Sequence, residues 1–451
     1  MLTTFLRITY HALSIFYDAW QATSVYGRRG LTVHAEGACM KFWMFHLMPW
    51  PHLPQDFAEK YDTAWVTCPN SLFDPQRGPD VYHQYINQLA YADQLGFDGV
   101  VINEHHQNAY GIMPSPNLVA AALSQRIQKA RVMVLGNGLP LYDVPLKIAE
   151  EFAMLDNMFR GKFDAGFVVG GGPEYYSYNI NPTFARERFR EATDLIIKAW
   201  TDPGPFSWDG KHYQFQYVNP WPRPVQKPHP PVWIPGAGSV ETMDFVAERG
   251  FIYAALTYAH VDSFRQNAAY LWQAVARAGR PCNPEQLGWL VPIYVAETDQ
   301  QARAEAEEHV WYFIDKLLKG FAGKGRAWMP PGYTSLKSLQ RMQEISAPGN
   351  ESGASNWQLG HARTWDDVEA GGSVLIGSAE RVREQLLKYV LEFKVGHLLA
   401  LPQFGSLPDH LTRKNMELLA TEVFPYVRKY AELEFASLPG VRAQQQHDLH
   451  A

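Results

Sequence analysis

The 451-residue chain is short of cysteine, of concentrated positive charge and of long apolar runs. Its three cysteines, Cys39, Cys68 and Cys282, are far apart, with none of the C-x-x-C spacing that structural zinc or redox centres need. This scarcity fits a reducing, cytoplasmic setting. Lys and Arg number 40 against 46 Asp and Glu, a net charge of −6, and no basic run is long enough to form a footprint for nucleic acid. The apolar stretch Leu2 to Trp20 is broken by Arg7, His11 and Asp18, and no small-residue cleavage site follows. No membrane span is expected there. Residues 1–39 are expected to be a poorly ordered extension, 40–430 one domain and 431–451 a C-terminal tail.

What is present is apolar substance: 46% of residues are hydrophobic and 14% aromatic, enough for a large core. From Met40 onward, short apolar runs alternate with segments of helical periodicity, the order of a parallel sheet. Strands are predicted at 42–47, 99–103, 132–136, 162–169, 232–235, 251–256, 287–296 and 395–401. Helices are predicted at 80–95, 116–130, 144–158, 183–201, 239–249, 261–278, 299–319 and 408–430. Pro116, Pro145 and Pro182 stand at or near first turns, where a missing N–H costs nothing. Eight such units imply an α/β fold closed as a (β/α)₈ TIM barrel. Two stretches interrupt it. Phe206 to Tyr217, with Asp209-Gly210 between alternating aromatics, reads as a β-hairpin before strand five. Phe321 to Gly372, rich in Gly, Pro and Ser, reads as a long mobile insertion before strand eight.

Barrel enzymes build their active sites in the loops after the strands. Glu104, His105 and His106 follow the second strand directly, so they emerge at that mouth. Histidine exchanges protons near neutral pH, and two adjacent ones can serve two roles. The plainer reading is that one of them packs beneath the loop. A metal site is less favoured: the triplet lacks the i, i+4 spacing of H-E-x-x-H, and no other strand end supplies a clear further ligand.

Other strand ends suggest a ligand. Gly170, Gly171 and Gly172 let the backbone approach a flat or anionic group, and Tyr175 beside them offers a ring surface. The alternative is a tight turn. Gly238 and Ser239 open a helix with Thr242 one turn in, so free N–H groups and a hydroxyl could meet a phosphate. An ordinary serine cap is the rival reading. Asn137, in the Gly-Asn-Gly after strand three, could reach a ring carbonyl.

Several pieces occur in order: Met40-Lys41-Phe42, Gly96-Phe97-Asp98-Gly99, Glu104-His105-His106 with Gly111, Ala153-Met154-Leu155-Asp156 with Gly161-Lys162-Phe163, Arg186-Glu187-Arg188-Phe189 with Glu191, and Gly238-Ser239 with Glu241-Thr242 and Ala247-Glu248-Arg249-Gly250. On these the chain resembles the bacterial-luciferase-like flavin-dependent monooxygenases over nearly all of Met40 to Tyr430. The resemblance implies an oxidoreductase that takes reduced FMN from a flavin reductase and uses dioxygen to oxygenate a small, mostly apolar substrate. It also implies a homodimer. His105 matches the family's catalytically important histidine and His106 its neighbour. The family resemblance also covers deazaflavin-dependent hydride-transfer enzymes and non-catalytic flavin-binding barrels. Where the luciferase catalytic subunit has Cys-Arg at the end of strand four, this chain has Val168-Val169. Light emission is therefore not expected, and a phosphate-binding guanidinium is missing there, for which Lys147 or Arg186 is the candidate substitute.

Overall fold

The computed structural model describes residues 40–256, 258–319, 330, 332–333, 335–337, 340 and 359–441. The expected extension 1–39 and most of the expected insertion 321–372 lie outside the described residues.

Eight parallel strands close a barrel: β1 (Lys41–Phe45), β2 (Gly99–Ile102), β3 (Arg131–Gly138), β4 (Phe163–Val168), β7 (Val232–Gly236), β8 (Ile252–Ala255), β9 (Leu287–Ala296) and β11 (His397–Leu401). They pair in that order, and β11 returns to β1 in the register Phe42 with Leu398. All are nearly continuous apolar runs because side chains are covered on both faces, by the barrel interior and by the helices outside. β5 (Phe206–Asp209) and β6 (Gln214–Val218) form the expected antiparallel hairpin before the fifth barrel strand.

The structure departs from expectation at three places. The helix predicted over 116–130 ends at Leu123, because the buried carboxylate of Asp93 accepts the N–H groups of Gln128, Lys129 and Ala130 at 2.9, 2.9 and 2.6 Å and holds that stretch open. A ninth parallel strand, β10 (Leu375–Ser378), pairs with Ile293–Ala296, where β9 runs past its pairing with β11. Ser378 then caps the helix Ala379–Phe393, accepting from the Arg381 N–H, and this helix buries Val382, Leu386, Val390 and Phe393 at helical spacing. The described end of the insertion contains a third unforeseen element, the helix Trp365–Gly371, closed by a reciprocal cap between Thr364 and Asp367.

At the barrel's C-terminal mouth, two features direct side chains. β3 carries a register shift between Val134 and Asn137, and a bulge of this kind turns the following side chains to a new direction. Gly136 and Gly166 permit it: a Cβ on Gly136 would fall 2.3 Å from the Gly166 carbonyl carbon, and one on Gly166 2.2 Å from the Val134 oxygen.

Candidate active site

The triplet after β2 divides into two histidines with different surroundings. His106 is buried, and both of its ring nitrogens are engaged: Nε2 with Glu104 Oε1 at 3.0 Å and Nδ1 with the Tyr178 hydroxyl at 3.2 Å. Glu104 is equally committed. Its carboxylate accepts from His106, from the Asn137 amide, from the Gly138 N–H and from the Tyr142 hydroxyl. With these donors converging on one buried carboxylate, Glu104 ties the β2 and β3 loops together.

His105 is the more accessible of the pair. Its Nδ1 lies 2.9 Å from Glu174 Oε1, and its ring stands edge-on to Trp65 and Tyr110 at centroid distances of 5.4 and 5.1 Å. A carboxylate on Nδ1 favours the tautomer with its proton there, which leaves Nε2 as the free nitrogen. Burial of Glu174 pushes its pKa up, but the hydrogen bond and charge of His105 outweigh that and hold the carboxyl below the ordinary glutamate value. Its second oxygen, Oε2, is buried without a partner. Glu174 sits in the short helix Gly172–Ser177 that follows the glycine run. A Cβ on Gly171 would fall 2.6 Å from that free oxygen, so glycine there keeps the space in front of it clear.

His105 borders a cavity of about 590 Å³ between the loops after β1 and β2. Trp50, Leu53, Leu72, Phe73 and Ile112 line it, and none of its lining side chains is a carboxylate, lysine or arginine. Burial pushes the Cys68 thiol on its wall up to about 11, so this cysteine stays protonated at neutral pH. Tyr110 stacks on Trp65 at 4.8 Å and shares a 2.8 Å hydrogen bond with Tyr258, and burial holds both phenols well above their ordinary pKa.

The remaining expected site residues fall into two groups. Asn137 joins the histidine site directly, with its amide on Glu104 and its oxygen accepting from Asn117 at 3.1 Å. Gly170 has a positive φ of 93°, and its carbonyl accepts from the Tyr333 hydroxyl at 2.6 Å. Tyr175 turns inward: its ring is buried, its hydroxyl donates to the Val169 carbonyl, and it packs on Tyr333. Gly238, also with positive φ, Ser239 and Thr242 stand at the other edge, where the Ser239 hydroxyl hydrogen-bonds Glu241 at 3.0 Å and makes no cap on the helix Val240–Arg249. Tyr333 donates to the Gly170 carbonyl at one edge, and Ser335 hydrogen-bonds Glu241 at the other. Of the two candidate cations, Lys147 pairs with Glu151 on an exposed outer helix, whereas Arg186 donates to the Tyr333 carbonyl beside the glycine run. Sequence reasoning passed over Glu174 as a partner of His105, although a carboxylate just inside a helix at a strand end was its visible signal. Among the described residues no group of three or more His, Cys, Asp or Glu is placed to hold a metal ion, and no helix is long and apolar enough to cross a membrane.

A closed (β/α)₈ barrel with a carboxylate-held histidine at its C-terminal mouth is the frame of an enzyme site. The chain belongs to the luciferase-like monooxygenase family, whose profile matches residues 63–392, and is thus an oxidoreductase of the luciferase-like class. It is 28% identical to an uncharacterized protein of Sinorhizobium fredii over 75% of this chain and 91% of that one. It is 26% identical to the oxygenase component of the flavin-dependent trigonelline monooxygenase of Acinetobacter baylyi, over 53% and 66% of the two chains. Solved structures share the fold, two of them as follows. The oxygenating constituent of 3,6-diketocamphane monooxygenase from Pseudomonas putida, in complex with FMN, aligns with a TM-score of 0.62 at 16% identity, covering 86% of this chain and 98% of that one. The coenzyme F420-dependent tetrahydromethanopterin reductase of Methanopyrus kandleri aligns with a TM-score of 0.57 at 17% identity, covering 86% and 99%.

Proposed function

We propose that this chain is the oxygenase of a two-component system, using reduced FMN from a separate flavin reductase and dioxygen to oxygenate a small, mostly apolar substrate. One observation carries the reading: His105, held at Nδ1 by a buried carboxylate, turns its ring to an uncharged cavity of about 590 Å³. The residues suit a flavin, since Glu174 Oε2 and the Asn103 side-chain oxygen are buried acceptors without donors at the mouth. Reduced flavin supplies the electrons for activating dioxygen. Gly170, Gly171, Gly172, Ser239 and Thr242 border its phosphate, with Tyr175 packed beside the glycine run and Arg186, on the Tyr333 carbonyl, as the cation beside it.

In this reading His105 Nε2 exchanges the proton that the reaction requires, and Glu174 stabilises the imidazolium formed when it does. Glu104, His106 and Asn137 hold the loop in place, and the aromatic wall keeps water from the reacting centre. A second copy of the chain docks on the neighbouring helices Pro116–Leu123 and Leu146–Met158, which expose Leu118, Met154 and Met158. The test incubates the chain with a flavin reductase, NADH, FMN and a panel of apolar substrates under ¹⁸O₂. A product heavier by one labelled oxygen is expected. Turnover that needs the deazaflavin F420 and no dioxygen would replace this reading with hydride transfer, and flavin binding without any turnover would leave an inert flavin-binding barrel.

A further inference from the structure

The interior of the barrel is read from contacts that cross it. Trp43 on β1 and Trp233 on β7 meet at 5.7 Å although their strands are not neighbours, so both rings point inward. His397 on β11 joins them, accepting from Trp43 Nε1 at 3.0 Å, and a Cβ on Gly99 of β2 would strike the Trp43 ring. Side chains alternate along a strand. Counting by twos from Gly99 gives Val101 as an inward position; from His397 it gives Leu399 and Leu401. Trp43 is in register with Gly99 on one side and Leu399 on the other. Asn103 follows the last residue of β2 directly and Gln403 lies two residues beyond the end of β11, so both stand at the C-terminal rim on the two sides of β1.

Both amides are buried, Asn103 at 4% exposure and Gln403 at 0%, and both have an unpartnered side-chain oxygen. The Gln403 amide nitrogen makes a long contact, 3.4 Å, to the Gly405 carbonyl. Native proteins leave few buried polar atoms unpaired, because each one is destabilising. Two of them just beyond the C-terminal ends of the strands that flank β1 point to a missing partner.

We propose that Asn103 and Gln403 bind the polar edge of the flavin ring system. The edge of a flavin carries a cyclic imide with an N–H between two carbonyls. A carboxamide offers one acceptor and two donor hydrogens without charge, so the pair complements such an edge whichever way each amide is turned. This inference rests on the reading of the site as a flavin site.

The test compares the unmodified chain with Asn103→Leu and Gln403→Met, which keep volume and remove the amide. Thermal unfolding without flavin is expected to leave Tm unchanged or raised in both, since each loses an unpaired buried oxygen. Anaerobic titration with reduced FMN, followed by tryptophan fluorescence, is expected to show Kd raised about tenfold per variant, the loss of one hydrogen bond. Reduced lumiflavin, which has the ring but no phosphate, is expected to lose the same factor. Unchanged Kd for reduced FMN, or a lowered Tm with unchanged Kd, overturns the inference and leaves the flavin reading standing. Failure of the unmodified chain to bind reduced FMN overturns that reading itself, and the inference with it.

Discussion

At the scale of single residues, the proposed function turns on one histidine and the carboxylate behind it. Replacing His105 with Ala is expected to lower substrate oxygenation by about a hundredfold or more while the Kd for reduced FMN changes little, because the ring moves a proton and does not anchor the cofactor. Equal losses in binding and turnover would refute that division. For Glu174→Gln, kcat is expected to fall more than about tenfold with KM nearly constant, and Glu174→Asp to recover part of it. The Glu174 carboxyl is held below the ordinary glutamate value, so it remains charged from pH 5 to 8 and contributes no inflection to the rate profile in that window. The sequence displayed His105 and His106 clearly because they follow a strand end directly. It did not display their inequality: His106 is consumed by Glu104 and Tyr178, and only the folded chain brings Glu174 to His105.

Among the elements, β3 and β4 are the pair whose contact shapes the mouth. At Gly166 a methyl group would overlap the Val134 oxygen, and backbone cannot rotate away as a flexible side chain could. Gly166→Ala is expected to destabilise the chain by about 1–3 kcal/mol, read by urea unfolding, and to move Asn137 off Glu104. An Ala variant as stable as the parent would show that the two strands can separate at the bulge. The eight barrel strands were legible because burial on both faces forces long apolar runs. β10 was not, since its four residues are a strand only by virtue of the overhang of β9. The early end of the helix at Leu123 was hidden for a similar reason: the carboxylate that opens the chain there belongs to Asp93, on another helix.

Across the whole molecule, buried histidines link stability to pH. His46 is held down at about 4 and His397 well below its ordinary value, in both cases because burial disfavours the charged ring. Each also accepts a hydrogen bond at Nδ1, from the Met48 N–H and from Trp43 Nε1, which protonation would break. Both pKa values are depressed on folding, so their contribution is fully present above pH 6.5 and is lost as pH falls toward 4, where the unfolded chain alone takes up protons. Stability is expected to fall by about 1.4 kcal/mol per pH unit for each histidine between pH 6 and 4.5, seen as a falling urea midpoint. A midpoint independent of pH over that range would mean that these rings are protonated in the folded state. What the sequence alone determined was the closed (β/α)₈ barrel and the position of Glu104-His105-His106 at its mouth, because apolar periodicity and strand-end position are local properties of the chain. What the tertiary structure alone decided was the partner of each histidine, the uncharged cavity beside His105, and the unpaired amides of Asn103 and Gln403. Those depend on strands and loops remote in sequence being brought side by side, and closure of the barrel is the physical event that does so.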